Sequence, residues 1–573
     1  SSGSLIGTDG AANHKAVILR SQSSCWSPRL RFGLRTASTR IFAAPVGGRF
    51  GLLRIRSPVE PFDITTESPI KFSPMTINTP AWVRDAVFYQ IFPDRFARSG
   101  TVAFDEELEP WDSPPTVYGF KGGDLDGVTD RLSYLQDLGI TAIYFCPIFA
   151  SAANHRYHTY DYMNVDPLLG GNAALRRLLD AAHDRDMKIV LDGVFNHASR
   201  GFWQFHHVLE NGAASPYRDW FHFDPKRLNH EKPFQPYPTE SAVAALAAGQ
   251  GSYEAVGYSA WWNLPALPKF NTNCPAVREF LLSVAEYWVK FGIDGWRLDV
   301  PNEIDDDDFW REFRQRIRSA NPEAYIVGEV WGEAKRWLQG DMWDAVMNYQ
   351  ITAACLGFFG GDRLDLEEAR RPSSFSHVRT FSGQEFADEI NKVTSMYAPE
   401  VVASQLNLLD SHDMPRFVTC CRGDQDALKM AWLFVCTSAG APCIYYGDEV
   451  GVDGGHDPDC RKAFPPNEAD WNKPLRDWFA ACIKLRKQHP ALRSTNRKLL
   501  TAKGSAVAFI SQADGENVIS VFNAGDTETT MELVLDTKRT WKVLLETGTG
   551  CHLQPTSGGL TVQLPGRNAV VAG

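Results

Sequence analysis

The feature of this sequence that most restricts its fold is a strict alternation of short apolar runs with longer amphipathic runs, beginning at Val87. The apolar runs have the length of buried strands, and the amphipathic runs have the 3.6-residue periodicity of helices. Strands separated by helices are predicted to be parallel, because each helix returns the chain to the same end of the sheet. The candidate strands are residues 87–91, 141–145, 188–192, 295–299, 325–330, 345–348, 406–409 and 443–446. Eight such strands predict an α/β fold with a closed (β/α)8 TIM barrel.

The barrel is predicted to occupy residues 81–490, with a different texture on either side and one interruption inside it. Residues 1–80 contain short alternating runs broken by Gly, Pro and Ser, which favour a small, partly disordered β-rich segment. Residues 491–573 return to short alternating runs, which predict a C-terminal antiparallel β-sandwich. Residues 198–270 follow the third strand and are too long for an ordinary connection, so we predict an inserted region that lies over the site.

The composition excludes two classes of partner. The formal net charge is −11 and the pI is about 5.7, with no long Lys/Arg run, so nucleic acid is not expected as a partner. No run of about 18 apolar residues is present, so we expect no membrane span. The eleven cysteines form no CxxC motif and mostly fall in apolar runs. This pattern favours free buried thiols in a reducing compartment, and we predict a cytoplasmic protein.

Several predicted strands end in an acidic residue. Asp192, Asp299 and Glu329 end the third, fourth and fifth strands, and Asp413 follows the seventh. One carboxylate in such a place is often only the cap of the next helix. Four of them should converge, because the carboxyl ends of barrel strands meet at one rim. Since gathering like charges costs stability, we expect a group that is cationic, or becomes cationic, to lie between them.

Two of these acids have neighbours suited to different roles. Arg297 and Asp299 share a strand face, so the guanidinium is expected to keep Asp299 ionised as a nucleophile. Trp331 beside Glu329 is expected to desolvate it partly and raise its pKa, as a general acid requires. Such a pair of carboxyls suits cleavage of a glycosidic bond, which passes through an oxocarbenium-like state, and it gives the retaining route where the two lie about 5 to 5.5 Å apart. The third acid, Asp413, would bind sugar hydroxyls and help distort the ring.

The acids lie in four segments that resemble the signature segments of the α-amylase superfamily, glycoside hydrolase family 13. In chain order the segments are residues 192–197 (DGVFNH), 295–299 (GWRLD), 327–331 (VGEVW) and 409–413 (LDSHD). Four such segments in this order, on strands three, four, five and seven, form a specific signal. The resemblance runs from about Trp82 to the C-terminus. Trp331 and residues 267–271 (LPKFN) are similar to the neopullulanase, cyclomaltodextrinase and maltogenic amylase branch.

The resemblance implies a role for each matched residue. Asp299 is the implied nucleophile, Glu329 the implied acid/base and Asp413 the implied transition-state stabiliser. The implied substrate-binding residues are Tyr157 as a stacking platform, with Asp192, Asn196, His197, Arg297, Trp331, His412 and Arg461 around the sugar.

The resemblance also implies an activity. We expect a retaining hydrolase of α-1,4 links in maltooligosaccharides, cyclodextrins or pullulan, with transglycosylation and with α-1,6 links left open. An exo-acting α-glucosidase or a transglycosylase on the same site is the alternative, and the insertion decides between them. A barrel that only binds sugar or a protein partner is a remoter alternative, and the complete acidic trio counts against it.

Two departures from the branch bear on partners and cofactors. Only about 80 residues precede the barrel, whereas relatives carry a larger N-terminal β-sandwich that helps to build a dimer, so a homodimer stays an open prediction. Many relatives bind calcium just after the first strand, but residues 97–104 (ARSGTVAF) lack the oxygen ligands that hard cations prefer. We therefore expect no required cofactor and no calcium there. The histidines lack partners at zinc-ligand spacing, so we expect no metal site.

Overall fold

The computed structural model describes residues 77–104, 107–535 and 540–573. The predicted β-rich segment over residues 1–80 lies, apart from its last four residues, outside this described part. Within the described part, no helix is long and apolar enough to cross a membrane.

Eight parallel strands form the predicted barrel. In chain order they are β1 Phe88–Ile91, β2 Ala142–Phe145, β5 Lys188–Gly193, β6 Gly295–Leu298, β7 Tyr325–Gly328, β8 Ala345–Val346, β9 Leu406–Leu408 and β10 Ala441–Tyr445, with the hairpin β3 Phe149–Ser151 and β4 Thr159–Val165 after β2. The sheet order is β8-β7-β6-β5-β2-β1-β10-β9. A parallel bridge between Met347 and Leu406 joins its two edges. The prediction of a TIM barrel is confirmed.

The helices between the strands are amphipathic, as the sequence predicts. In the helix Asp307–Ala320, for example, the residues Phe309, Trp310, Phe313 and Ile317 are buried, and the Asp306 carboxylate caps its N-terminus. The α-helices outside the insertion are Ala81–Asp85, Pro93–Phe96, Leu125–Asp130, Leu132–Leu138, Gly171–His183, Pro275–Phe291, Asp307–Ala320, Tyr349–Cys355, Leu366–Ala369, Gly383–Ser395, Pro399–Val402, Phe417–Cys420, Gln425–Cys436 and Lys473–Gln488.

The insertion after β5 is more ordered than its composition indicates. It contains the helices Trp203–Asn211, Pro225–Leu228, Glu240–Ala247 and Ser252–Val256. An aromatic cluster holds it together, in which Phe202, Phe205, Phe221 and Phe270 pack against one another. A bridge between His197 and Lys269 ties its end to the barrel rim. The insertion is therefore a rigid part of the wall around the strand ends.

The C-terminal part is the predicted antiparallel sandwich. Its strands are β11 Arg497–Lys503, β12 Ala506–Ala513, β13 Glu516–Asn523, β14 Thr529–Val534, β15 Val543–Glu546, β16 His552–Thr556, β17 Gly559–Leu564 and β18 Asn568–Ala572. They form a five-stranded sheet, β11-β12-β13-β18-β15, and a three-stranded sheet, β14-β17-β16. Inward side chains of the two sheets, such as Val521 and Val562, share one buried core.

Candidate active site

Three carboxylates lie where parallel barrel strands end. Asp299 directly follows β6, Glu329 directly follows β7, and Asp413 lies on the loop after β9. The side chains of Asp299 and Glu329 are 7% and 6% exposed, and that of Asp413 is 31% exposed. All three are thus largely desolvated, yet none is sealed off from solvent.

Arg297 on β6 is the cation around which the carboxylates are arranged, and its side chain is fully buried. Its Nη1 donates to both oxygens of Asp192, at 3.0 and 2.9 Å, and to Asp299 Oδ1 at 3.2 Å. Its Nη2 lies 3.0 Å from Glu329 Oε2. Because one guanidinium contacts Asp192, Asp299 and Glu329, the predicted nucleophile and the predicted acid/base face the same space.

A single guanidinium does not hold the pKa values of three carboxylates down. Burial raises the pKa of Asp299 well above its ordinary value, and Arg297 opposes this rise only in part. The negative charges of Glu329, Asp192 and Asp413 add to the rise. Burial also raises the pKa of Asp192 to about 6. Arg297 therefore contacts Asp299 and lowers its pKa, as expected, but burial outweighs the guanidinium and the neighbouring carboxylates add to the rise.

The second oxygen of Asp299 is unpaired. Oδ1 accepts from Arg297, whereas Oδ2 is buried without a hydrogen-bond partner among the described residues. The next residue, Val300, has φ 35° and ψ 51°, a left-handed conformation that β-branched residues avoid. Such strain persists only where the surroundings impose it, and it is concentrated at functional sites. The free oxygen is the group that a nucleophile requires.

Glu329 is held at both carboxylate oxygens. The Val300 N–H donates to Oε2 at 3.2 Å, and the Trp331 indole N–H donates to Oε1 at 3.2 Å. Burial raises the pKa of Glu329, Arg297 opposes the rise, and the charge of Asp413 adds to it. The direction of the pKa suits a general acid, but the Trp331 N–H opposes it, because a hydrogen-bond donor favours the ionised carboxylate.

Asp413 is oriented by two cationic or polar neighbours. Arg461 Nη2 lies 3.4 Å from Asp413 Oδ1, and Arg461 Nε donates to the His412 carbonyl at 2.8 Å. His412 Nε2 lies 3.1 Å from Asp413 Oδ2. Burial, together with the charges of Arg461 and Arg297, lowers the pKa of His412 well below its ordinary value. The imidazole is therefore neutral at pH 7 and suited to hydrogen bonding.

Tyr157, on the connection between β3 and β4, joins two of these groups. Its hydroxyl donates to Asp192 Oδ2 at 3.0 Å and lies 2.6 Å from His412 Nε2. Two residues that sequence reasoning missed complete the network. Tyr144 on β2 also donates to Asp192 Oδ2, at 2.9 Å, and Gln90 on β1 contacts His412 Nδ1 at 2.9 Å. Both point inward from strands, and their only signal in the sequence is a polar atom within an apolar strand.

His197 begins a stack of rings at the edge of the insertion. Asn196 Nδ2 lies 3.2 Å from His197 Nδ1, while His197 Nε2 is buried with no partner in the described part of the chain. The His197 ring stacks on Trp261, and Trp261 stacks on Trp262. Trp262 is 76% exposed. The stack therefore presents a flat apolar face to solvent beside the catalytic groups, and its tryptophans were missed by sequence reasoning.

The residues after β1 do not fit the calcium ion that the family implies. Asp124 already accepts from Ser99 and from the Gly127 N–H, and Arg177 binds both oxygens of Asp126 at 2.9 and 2.7 Å. The carboxylates near this position are thus paired within the protein. Among residues 77–104, 107–535 and 540–573, no cluster of three His, Cys, Asp or Glu side chains could hold a metal ion.

The structure brings the predicted site residues together at one rim of the barrel. Direct contacts link Asp299, Glu329, Asp413, Asp192, Arg297, Tyr157, His412, Trp331 and Arg461, and the stack on His197 with Asn196 lies beside them. Their individual roles stay predictions, which the experiments below address.

Comparison with known proteins agrees with this arrangement. The family described as "Alpha amylase, catalytic domain" matches residues 90–484. The chain is 42% identical to a cyclomaltodextrinase from Bacillus sp over 82% of this chain and 77% of the relative. It is 38% identical to neopullulanase 2 from Thermoactinomyces vulgaris over 85% of this chain and 77% of the relative.

A solved structure with a similar fold is the debranching enzyme of Nostoc punctiforme. The TM-score is 0.77 at 44% identity, covering 87% of this chain and all of that one. The same debranching enzyme has also been solved after soaking with acarbose.

Proposed function

The chain belongs to the α-amylase family of glycoside hydrolases, and from this premise we propose that it hydrolyses α-1,4-glucosidic bonds with retention of configuration. Its substrates in this proposal are cyclodextrins, pullulan and maltooligosaccharides. The observation that carries the proposal is the unpaired Oδ2 of Asp299, which shares the Arg297 guanidinium with Glu329. A nucleophile and an acid/base that flank one sugar are the requirement for double displacement.

The first step breaks the glycosidic bond. Glu329 donates its proton to the glycosidic oxygen, and the Asp299 Oδ2 attacks C1 from the opposite face. The leaving sugar departs with that proton, and a covalent glucosyl ester forms on Asp299. Burial raises the pKa of Glu329, which favours the protonated form that this step requires.

The second step restores the enzyme. The Glu329 carboxylate removes a proton from water, the water oxygen attacks C1, and the ester bond to Asp299 breaks. The product has the α configuration because C1 is inverted twice. An acceptor sugar in place of water gives transglycosylation by the same step.

The excess of negative charge around Arg297 supports stabilisation of a positively charged transition state. Asp192, Asp299 and Asp413 surround the place where the ring becomes positively charged, and Arg297 neutralises only part of their charge. Electrostatic stabilisation of this kind is most effective where water is excluded. Asp413 and His412 are placed to bind ring hydroxyls, which uses binding energy to distort the sugar.

The exposed ring stack supports a substrate with several glucose units. Trp262 and Trp261 lie beside His197, and aromatic faces bind the apolar faces of sugars. The names of the relatives, cyclomaltodextrinase and neopullulanase, agree with such substrates. Activity on α-1,6 bonds is part of the proposal because the debranching enzyme shares the fold at 44% identity.

The proposal includes no cofactor, since the carboxylates near the family's calcium position are paired with Arg177 and Ser99. A cytoplasmic location is supported by the cysteines of the described residues, each of which is a free thiol. A homodimer stays a prediction, and light scattering on the purified protein tests it.

The experiment is incubation with β-cyclodextrin, pullulan, starch and maltotriose. Chromatography follows the products, and NMR follows the configuration of the first product. We expect ring opening of β-cyclodextrin, panose from pullulan and α-anomers first. Glucose alone from every linear substrate would identify an exo-acting α-glucosidase, and β-anomers would contradict retention. The Asp299→Asn protein is the matched control and is expected to form no product.

A further inference from the structure

Tyr349 is a buried residue that links two of the catalytic segments. It follows β8 as the first residue of the helix Tyr349–Cys355 and is fully buried. One face of its ring covers Trp331, with centroids 3.9 Å apart and planes 1° from parallel. Its hydroxyl lies 3.2 Å from Ser411 Oγ. A single side chain therefore contacts the segment after Glu329 and the segment before Asp413.

On one side, the stack fixes the indole that binds Glu329. Trp331 packs face to face on Tyr349, and Phe375 contacts both rings from the side, with its centroid 5.2 Å from that of Trp331 and 6.2 Å from that of Tyr349. In this orientation the indole N–H reaches Glu329 Oε1 at 3.2 Å. The other oxygen, Oε2, already faces two donors, the Val300 N–H and Arg297 Nη2. Because Oε2 lies against the Arg297 cation whereas Oε1 accepts a neutral indole N–H, a proton is held more readily on Oε1.

On the other side, the hydroxyl fixes the turn that aims Asp413. Ser411 is buried, and its Oγ accepts the Asp413 backbone N–H at 3.3 Å. Among the described residues, the Tyr349 hydroxyl is the other polar group on this Oγ. Loss of the Tyr349 hydroxyl leaves Ser411 Oγ with one contact fewer in a buried place, where polar groups need partners.

We propose that Tyr349 is a positioning residue that sets the acid/base Glu329 and the stabiliser Asp413 relative to each other. It acts through Trp331 on one side and through Ser411 on the other. The inference rests on the proposed retaining mechanism, because it assigns both carboxylates their roles in that reaction. It also assigns the transferred proton to Glu329 Oε1.

Two variants test the Trp331 arm, which is the indole contact to Glu329, separately from the Ser411 arm, which is the Tyr349 hydroxyl contact to Ser411. Trp331→Phe keeps an aromatic ring on Tyr349 but removes the indole N–H. Tyr349→Phe keeps the stack but removes the hydroxyl. The substrates are maltotriose, whose leaving group needs a proton, and α-maltosyl fluoride, whose fluoride leaves without one. The readouts are kcat/KM for both substrates and its full pH profile.

For Trp331→Phe we expect kcat/KM on maltotriose to fall about 10-fold, with α-maltosyl fluoride changed less than about 2-fold. The basic limb of the maltotriose profile moves to higher pH, because a donor that favours ionised Glu329 is gone. If Trp331 served only as a platform for a sugar ring, its replacement would lower kcat/KM without moving the basic limb of the pH profile. A profile that superimposes on the wild type would overturn the Trp331 arm.

For Tyr349→Phe we expect kcat/KM to fall about 5-fold on both substrates, because ring distortion by Asp413 is needed whatever the leaving group. The basic limb stays in place, since the stack on Trp331 remains. An unchanged kcat/KM, or a loss confined to maltotriose, would overturn the Ser411 arm.

The matched control is Tyr325→Phe. Tyr325 is also fully buried and donates to the Ser404 carbonyl at 2.7 Å, but it begins β7 at the end of the barrel away from the site. We expect its kinetics to equal those of the wild type. Thermal unfolding of all three variants checks that they fold. If the wild type hydrolyses neither substrate, the proposed function fails. If the wild type is active and all the variants behave like it, the inference about Tyr349 fails and the proposed function stands.

Discussion

Two buried arginines, Arg297 and Arg416, lie at the same rim of the barrel. Both bind carboxylates, but the groups around the two clusters differ. Arg297 is bound by Asp192, Asp299 and Glu329. Arg416 donates to Asp448 and to the Tyr446 carbonyl, both at 2.7 Å.

The two arginines differ in the protein groups that surround them. Arg416 also donates to the Cys460 carbonyl and lies 3.9 Å from the Tyr445 ring centre, so protein groups cover it. Asp410 beside it accepts the Phe417 N–H. Both clusters leave a buried carboxylate oxygen unpaired among the described residues, Asp410 Oδ1 beside Arg416 and Asp299 Oδ2 beside Arg297. The Arg297 cluster, however, adjoins Asp413, whose side chain is 31% exposed, whereas Asp410 and Asp448 are buried. The Arg416 cluster is thus a structural core, whereas the Arg297 cluster keeps reactive groups available.

The comparison teaches that buried charge by itself does not mark a catalytic site. Burial raises carboxyl pKa values in both clusters, including those of Asp448 and Asp299. The distinguishing feature is access to solvent, because the Arg297 cluster adjoins the partly exposed carboxylate of Asp413. The four predictions below test whether the two clusters separate activity from stability.

The largest effect is expected for Asp299→Asn. The near-isosteric amide cannot form the covalent ester, so kcat falls by roughly 10⁴-fold or more. Stability is unchanged or increased, because a buried like charge is removed from beside Asp192 and Glu329. Steady-state kinetics and thermal unfolding measure the two quantities. A clear loss of stability would show that this carboxylate is structural, like those around Arg416.

Glu329→Gln is expected to lose less activity than Asp299→Asn, and to lose it mainly on a substrate whose leaving group needs a proton. The kcat/KM on maltotriose falls by about 10³-fold, because no proton reaches the leaving sugar. The loss on α-maltosyl fluoride is at least about 10-fold smaller, since fluoride needs no proton. Parallel kinetics on the two substrates measure this difference. Equal losses would contradict the assignment of Glu329 as the acid.

Arg416→Met is expected to affect stability instead of chemistry. Removing one partner of a buried ion pair costs about 3 to 5 kcal/mol, because Asp448 stays buried without its cation. The folded fraction keeps kcat within about threefold. Urea unfolding and activity per folded molecule are the measurements. The control is Arg363→Met, whose side chain is 41% exposed and pairs with Asp526, for which about 0 to 1 kcal/mol is expected.

The smallest effect concerns pH. Burial raises the pKa of Asp192 to about 6. Activity should therefore rise as pH increases through about 6, where this carboxylate ionises and binds Arg297 and Tyr157. The free energy of unfolding should change in the opposite direction and fall as pH rises. The pKa of Asp192 is higher in the folded than in the unfolded protein, so the stability that protonated Asp192 contributes is present near pH 4 and is lost toward pH 6.

For this group we expect a decline of the order of 1 kcal/mol in the free energy of unfolding between pH 4.5 and 6.5. Urea unfolding of the wild type and of Asp192→Asn at the two pH values measures it. The asparagine variant should show a smaller decline. An equal decline in both proteins would place the titrating group elsewhere, for example at Asp410 and Asp448.

The sequence predicts the barrel well because its signal is periodic and local. The apolar runs around Ile189 and Ile326 are buried on both faces and have no other stable place than a parallel sheet. The carboxylates follow from the strands, since Asp299 and Glu329 occupy strand ends whatever the loops do. The insertion was placed correctly, but its helices were not predicted, because its aromatic residues lack a regular period.

The rest of the site depends on contacts between distant segments. Tyr349 and Ser411 are 62 residues apart, and Gln90 and His412 are 322 apart. No local pattern specifies such pairs. The pKa direction of Asp299 also could not be read from Arg297 alone, because it depends first on burial and then on the carboxylates that share the guanidinium.

The most direct test of the account is to trap the covalent intermediate. A 5-fluoro-α-glycosyl fluoride of glucose or maltose is incubated with the enzyme, and the labelled peptide is identified by mass spectrometry. The account predicts one glycosyl unit per protein, attached to Asp299, and no label on the Asp299→Asn protein. A label on another carboxylate, or turnover with inversion and no covalent adduct, would contradict it.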